Sequence, residues 1–159
     1  MNDPTPTNPG VRFPPPLLFV AGLVVAWALD RYVVAIPLPR GADALRTVLG
    51  GALVTAGVAL AAWGGLTFQR ARTAIIPHKS ASTIVTHGPY RYTRNPMYTG
   101  MTTAYLGGAA LLNSGWALVA LPFVLLALVR MVIHREERYL SSAFGAEYAR
   151  YCARVRRWG

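Results

Sequence analysis

In a chain of 159 residues, 53% hydrophobic and only 14% charged, charge falls well short of the roughly 25% typical of soluble domains. So much apolar surface in so short a chain has to be covered by lipid. The formal charge of +10 does not make a nucleic-acid binder, because the bases lie in short segments between and after apolar runs, and the single Cys152 excludes an intrachain disulfide and a cysteine-built metal site.

Residues 1–16 hold six prolines, Pro4, Pro6, Pro9, Pro14, Pro15 and Pro16, which predict an extended lead-in instead of a helix. Leu17 to Leu29 is uninterrupted apolar sequence, and Tyr32 to Ile36 continues it beyond Asp30 and Arg31, a pair able to neutralise each other partly near an interface. The run predicts a first span over 17–36. A cleaved signal sequence is the alternative, with Ala26-Trp27-Ala28 as a small-x-small site behind Arg12. The proline-rich start and the apolar residues directly after that site weigh against it.

Thr47 to Phe68 carries no charge and predicts a second span over 47–68. Its glycines suit close helix packing in lipid, with Gly50 and Gly57 on one face at heptad spacing. Met97 to Ile133 is apolar again and is broken by the turn-forming Asn113-Ser114-Gly115. It predicts spans over 97–112 and 116–133, the last kinked by Pro122. Arg70, Arg72, Lys79, Arg91 and Arg94 concentrate in the loop 69–96. Arg135, Arg138, Arg150, Arg154, Arg156 and Arg157 concentrate in the tail 134–159. Both segments, and both termini, are therefore expected on the cytoplasmic side. The expected fold class is an all-α integral membrane protein, one domain over 17–159 with four transmembrane helices, a cytoplasmic loop and C-terminal interfacial helices. The absence of an internal repeat argues against an inverted-repeat transporter.

Two polar segments carry side chains suited to chemistry. The first runs from Thr86 to Gly100 and reads T-H-G-P-Y-R-Y-T-R-N-P-M-Y-T-G. Gly88-Pro89 and Asn95-Pro96 are turn signals, and the second proline is placed to open a helix. The second runs from His134 to Leu140 and contains Glu136 and Glu137. Glu137, Leu140, Phe144, Tyr148 and Tyr151 recur at helical spacing, which predicts an amphipathic helix on the membrane face that Gly145 divides.

With these residues in place, the chain resembles the isoprenylcysteine carboxyl methyltransferase and phospholipid methyltransferase superfamily of integral membrane enzymes. The shared pattern is a loop close to H-G-P-Y-x-x-x-R-H-P-x-Y-x-G, a glutamate pair after the last span, and F-G-x-x-Y-x-x-Y. Here these are His87 to Tyr90, Arg94 to Gly100, Glu136-Glu137, and Phe144-Gly145 through Tyr148 and Tyr151. The match covers about the last half of the chain. Asn95 departs from the pattern, standing where many members have histidine, so an amide has to make any hydrogen bond that an imidazole made there.

The resemblance implies S-adenosylmethionine as cofactor and a lipophilic or membrane-embedded acceptor, a carboxylate, amine or thiol, with membrane lipids as surroundings and no metal. It assigns cofactor binding to His87, Gly88, Tyr90, Arg94, Asn95, Pro96, Tyr98, Glu136 and Glu137. Arg94 or His87 suits the cofactor carboxylate, the glutamates suit its ammonium and ribose hydroxyls, and tyrosine rings suit the sulfonium. No catalytic residue is assigned, since methyl transfer needs no covalent nucleophile; an amine acceptor needs a base, whereas a carboxylate or thiolate needs none. Adjacent acids lie about 100° apart on a helix. Glu137 is therefore expected to face the cofactor, and Glu136 to pair with Arg130 or hold the loop. Arg150, Arg154, Arg156 and Arg157 read as surface anchors. The competing readings are an NADPH-dependent membrane reductase, which resembles this family in its C-terminal half, and a non-catalytic scaffold or small transporter.

Overall fold

The computed structural model describes residues 14–39, 43–71 and 83–159. Most of the proline-rich lead-in, with Arg40, Arg72 and Lys79 of the basic loops, lies outside the described residues. Within them the protein is helical and contains no strand. The elements are α1 (Pro16–Tyr32), α2 (Asp43–Arg70), α3 (Pro96–Leu111), α4 (Gly115–Leu128) and α5 (His134–Arg154). A short 3₁₀ turn, Gly88–Arg91, precedes α3, and a π-helical turn, Val129–Ile133, joins α4 to α5 without a break.

Two helical stretches are long and apolar enough to cross a membrane: α2, with 28 residues, and the 40 residues of Gly115–Arg154. The apolar part of the longer one ends at Ile133, where the polar sequence from His134 begins. At 17 and 16 residues, α1 and α3 are shorter. Leu17, Val20, Val24, Val48, Leu66 and Phe123 all point outward, as the lipid-facing sides of membrane helices do.

Helices α2 and α3 form the most extensive helix pair, and the reason is glycine. A Cβ on Gly50 would lie 3.1 Å from the Gly107 carbonyl, one on Gly57 would lie 2.5 Å from the Gly100 carbonyl, and one on Gly107 would lie 2.6 Å from the Gly50 carbonyl. The heptad pair read from α2 thus meets a second heptad pair on α3. Without side chains between them the two backbones touch, which is how membrane helices gain dispersion energy where no hydrophobic effect operates. On the other side of α3, Tyr105 packs edge-on to Phe19 at 6.2 Å between ring centroids and donates a hydrogen bond to the Ala117 carbonyl at 3.0 Å. It is at the centre of a core that also includes Ala26, Val124 and Leu128.

Helix α1 is shorter than the apolar run predicted. The helix stops at Tyr32, and the Val33 and Val34 amides both donate to the Leu29 carbonyl. Residues 34–38 then lie along the tip of the α3–α4 hairpin. Gly115 N donates to Ile36 O at 2.7 Å, Trp116 Nε1 to Val34 O at 2.8 Å, and Leu38 N to Asn113 Oδ1 at 2.9 Å. Asp30 does not pair with Arg31. Its carboxylate accepts from Ile36 N at 3.0 Å and from Ser114 Oγ, while Arg31 stacks on the Tyr32 ring. Ser114 also caps α4 by accepting from Ala117 N at 3.1 Å. The two neutral donors satisfy one lone pair on each carboxylate oxygen, where an exposed ion pair with Arg31 would add little.

This clip gives a direct test. Ser114→Ala removes the α4 cap and leaves an Asp30 oxygen without its donor, so the melting temperature in detergent should fall by an amount equivalent to about 2 kcal/mol. An unshifted melt would show that the clip contributes nothing to stability.

Candidate functional site

The loop motif folds back on the end of α2. Gly88 has a left-handed φ of +60°, and a Cβ there would lie 3.0 Å from Thr67 Oγ1, so both conformation and space call for glycine. The turn it opens inserts Tyr90, whose ring meets Phe68 edge-on at 4.9 Å and whose carbonyl accepts from Tyr151 Oη at 2.7 Å. Pro96 is the first residue of α3, where its missing N–H costs nothing.

The C-terminal tail runs alongside this loop. Arg94 N donates to Arg156 O at 3.0 Å, Thr93 Oγ1 to Arg157 O at 2.8 Å, and Asn95 Nδ2 to Arg157 O at 3.2 Å. The amide of Asn95 therefore does make a hydrogen bond, to the tail backbone. Tyr148, Tyr151 and Val155 are buried together with Leu140, Phe144, Cys152 and Ile84. The stripe read from the sequence turns inward, against the loop segment. Gly145 breaks α5 with φ 48° and ψ −119°, as expected of the residue dividing it.

At the junction, Glu137 binds two guanidiniums. Arg157 approaches through Nη2 at 2.6 Å and Nε at 3.0 Å, and Arg94 through Nη1 at 3.2 Å. The same Arg94 nitrogen donates to Cys152 Sγ at 2.9 Å. Glu136 points the other way and accepts from Tyr98 Oη at 2.8 Å. It makes no ion pair with Arg130 among the described residues; the π turn that holds Arg130 and the bond to Tyr98 direct the two side chains apart. Two buried polar atoms have no partner among the described residues, Tyr90 Oη and Arg94 Nε.

Electrostatics follow from this burial. Desolvation pushes the Glu136 carboxyl up to about 7, opposed by the Tyr98 hydrogen bond and reinforced by the neighbouring Glu137. Desolvation also raises the Tyr90 phenol, with the charge of Glu136 adding to it, and raises Tyr151 to about 12. For Arg94, burial pulls down but Cys152 and Glu137 outweigh it, so the guanidinium stays charged.

The folded carboxyl of Glu136 is raised above its ordinary 4.5, so it favours the fold most below 4.5 and loses that contribution as pH rises through about 7. The melting temperature should therefore decline across that window, and Glu136→Gln should flatten the decline. A variant that retains the full decline would assign it to another group.

The structure thus gathers Tyr90, Arg94, Asn95, Pro96, Tyr98, Glu136 and Glu137 at one junction, with Gly88 packed beneath it. The His87 side chain is exposed, and the residue contributes its carbonyl to the turn by accepting from Tyr90 N at 3.2 Å. Arg157 corrects its reading as a surface anchor, since it is the closest partner of Glu137. Nothing in the sequence marked it, because it sits 20 positions from Glu137 among other arginines. Cys152 lies against Arg94.

Among known proteins, the family model described as phospholipid methyltransferase matches residues 45–147, more than half of the chain. Two rice proteins named "Probable protein-S-isoprenylcysteine O-methyltransferase", from Oryza sativa subsp. indica and subsp. japonica, are each 32% identical over 80 residues. That stretch is 50% of this chain and 42% of theirs. An uncharacterized protein of Haemophilus influenzae is 37% identical over 62 residues, 39% of this chain and 98% of that protein. The match thus spans less than half the length of the rice relatives. No solved structure matches the chain. The family match covers both the glycine-packed α2–α3 pair and the loop-to-glutamate junction, and on it the chain belongs to the phospholipid methyltransferase family, within the wider superfamily that includes the isoprenylcysteine carboxyl methyltransferases.

Proposed function

We propose that the protein is an integral membrane methyltransferase that uses S-adenosylmethionine and acts on a lipophilic acceptor. In this reading four helices cross the bilayer and both termini face the cytoplasm. The observation that carries the reading is the convergence of the loop and the glutamate pair through Arg94–Glu137 and Tyr98–Glu136, just past the end of the apolar run at Ile133. A site so placed is open to a soluble cofactor on one side and to lipid on the other.

The residues fit the cofactor. Arg94 keeps an unpartnered Nε donor for a carboxylate, and Tyr90 keeps an unpartnered hydroxyl. Glu137 is already shared by two guanidiniums, which leaves Glu136 as the acceptor for an ammonium or hydroxyl. When bound, S-adenosylmethionine supplies a methyl group made electrophilic by the adjoining sulfonium. The protein's part is alignment and exclusion of water. Tyr98 fixes the Glu136 carboxylate, the Tyr90 and Tyr98 rings suit a cation, and the docked tail braces the loop that carries Arg94.

Purified protein in detergent, incubated with methyl-labelled cofactor and either a lipid extract or a prenylated cysteine, tests the proposal. Transfer of label to one acceptor class is the expected result. Retention of NADPH, with no retention of S-adenosylmethionine, would support the reductase reading, and binding of neither would support a scaffold.

A further inference from the structure

Along the α4–α5 helix, beside the Glu137 junction, runs an open groove lined by Arg130, His134, Glu137, Arg138, Ser141 and Ser142. Its volume, about 710 Å³, holds a lipid headgroup as well as its phosphate. Arg130, His134, Arg138 and Ser142 follow one another at four-residue intervals, so successive turns of one helix place two guanidiniums, an imidazole and a hydroxyl in a row. Neither Arg130 nor Arg138 has an ion-pair partner among the described residues. Arg138 uses its Nε on the His134 carbonyl, which leaves its terminal nitrogens directed elsewhere. Glu137, the groove's one carboxylate, is already neutralised by Arg94 and Arg157. The groove therefore carries a surplus of positive charge. It disfavours a cation such as a sulfonium cofactor and favours an oxyanion.

Its position names the source of that oxyanion. Arg130 lies within the last apolar turn, and Leu126 and Met131 beside it are exposed at 46% and 43%. A guanidinium at that depth, with apolar side chains on its membrane side and hydroxyls beyond it, matches a lipid's order of acyl chain, phosphate and polar head. We propose that Arg130, His134 and Arg138, with Ser141 and Ser142, form a binding site for the phosphate of an anionic phospholipid. The site rests on the membrane placement of the α4–α5 helix and is independent of methyl transfer.

The test is lipid binding to the full chain in detergent, read as the shift in melting temperature on titration with phosphatidylglycerol, phosphatidylcholine or inorganic phosphate. Phosphatidylglycerol should stabilise the protein saturably, with phosphatidylcholine weaker and inorganic phosphate inert at the same concentration. The double variant Arg130→Gln/Arg138→Gln should need roughly tenfold or more phosphatidylglycerol for the same shift, as the loss of two surface guanidinium contacts implies. Ser142→Glu, which places a like charge in the row without touching either arginine, should weaken the response in the same direction. Arg150→Gln, an exposed arginine outside the groove, should respond as the wild type does. Melting without lipid verifies that each variant is folded. An unchanged response in the folded double variant overturns the site. Equal stabilisation by inorganic phosphate overturns the lipid as its ligand, and equal stabilisation by phosphatidylcholine overturns the preference for an anionic head. None of these readouts depends on the enzyme reading.

Discussion

Gly57→Leu should prevent α2 and α3 from assembling and leave little folded protein after detergent extraction. The Gly57 position faces backbone, not side chains. Even the first carbon of a new side chain would sit 2.5 Å from the Gly100 carbonyl and against the Ala104 amide. Neither can step aside as a flexible side chain would, so the helices must separate along much of their length. Overpacking in a core costs about 1–3 kcal/mol when neighbours can adjust, and here they cannot. Gly57→Ala should already lower the melting temperature measurably. Gly51→Ala is the matched control, because nothing lies within 4 Å of a Cβ there. Its melt should match the wild type or rise slightly, since alanine favours the helix. Equal behaviour of the two alanine variants would mean that the glycine seam does not hold the pair.

Arg94→Ala should weaken S-adenosylmethionine binding by tenfold or more, about 1.4 kcal/mol or above. This guanidinium joins the loop to Glu137 and Cys152 while keeping an unpartnered Nε. Arg94→Lys should not rescue binding, because a point charge cannot make the same set of directed bonds. The Arg157 bridge to Glu137 survives in both variants and should keep the tail docked. Protection of the C-terminus from protease separates the two roles. Lost binding with an intact tail assigns Arg94 to the ligand, whereas lost protection assigns it to structure. Glu136→Gln and Glu137→Gln, compared side by side for cofactor affinity, complete the assignment. We propose Glu136 as the direct contact in place of the expected Glu137, because Glu137 is already shared by two guanidiniums.

Much of this was legible in the sequence because it is written locally. Apolar runs and turn residues mark α2, the Asn113-Ser114-Gly115 break and the start of α3 at Pro96, and the periodicity of Leu140, Phe144, Tyr148 and Tyr151 marks the face that packs. Distant pairings were not legible. The Asp30–Ser114 clip joins positions 84 apart, and Arg157 reaches Glu137 across 20. Both depend on how elements meet in space, which no period records. Helix α1 ends before the expected 17–36 does, because Val33 to Ile36 is apolar in composition yet uses its backbone groups on the hairpin tip. A hydropathy pattern cannot distinguish those two uses of the same residues.

The wide turn at Val129–Ile133 bears on how this chain tolerates insertions and deletions. A π turn takes up one more residue than a regular turn while leaving the helix on either side in phase. A single-residue deletion inside 129–133 can therefore relax it to ordinary α-helix and leave Glu136 facing Tyr98 and Glu137 facing the arginines. The same deletion between residues 134 and 136 would swing those carboxylates by about 100° relative to the spans. Length variation among relatives is thus expected to gather at this turn, where the chain can gain or lose a residue without reorienting its site.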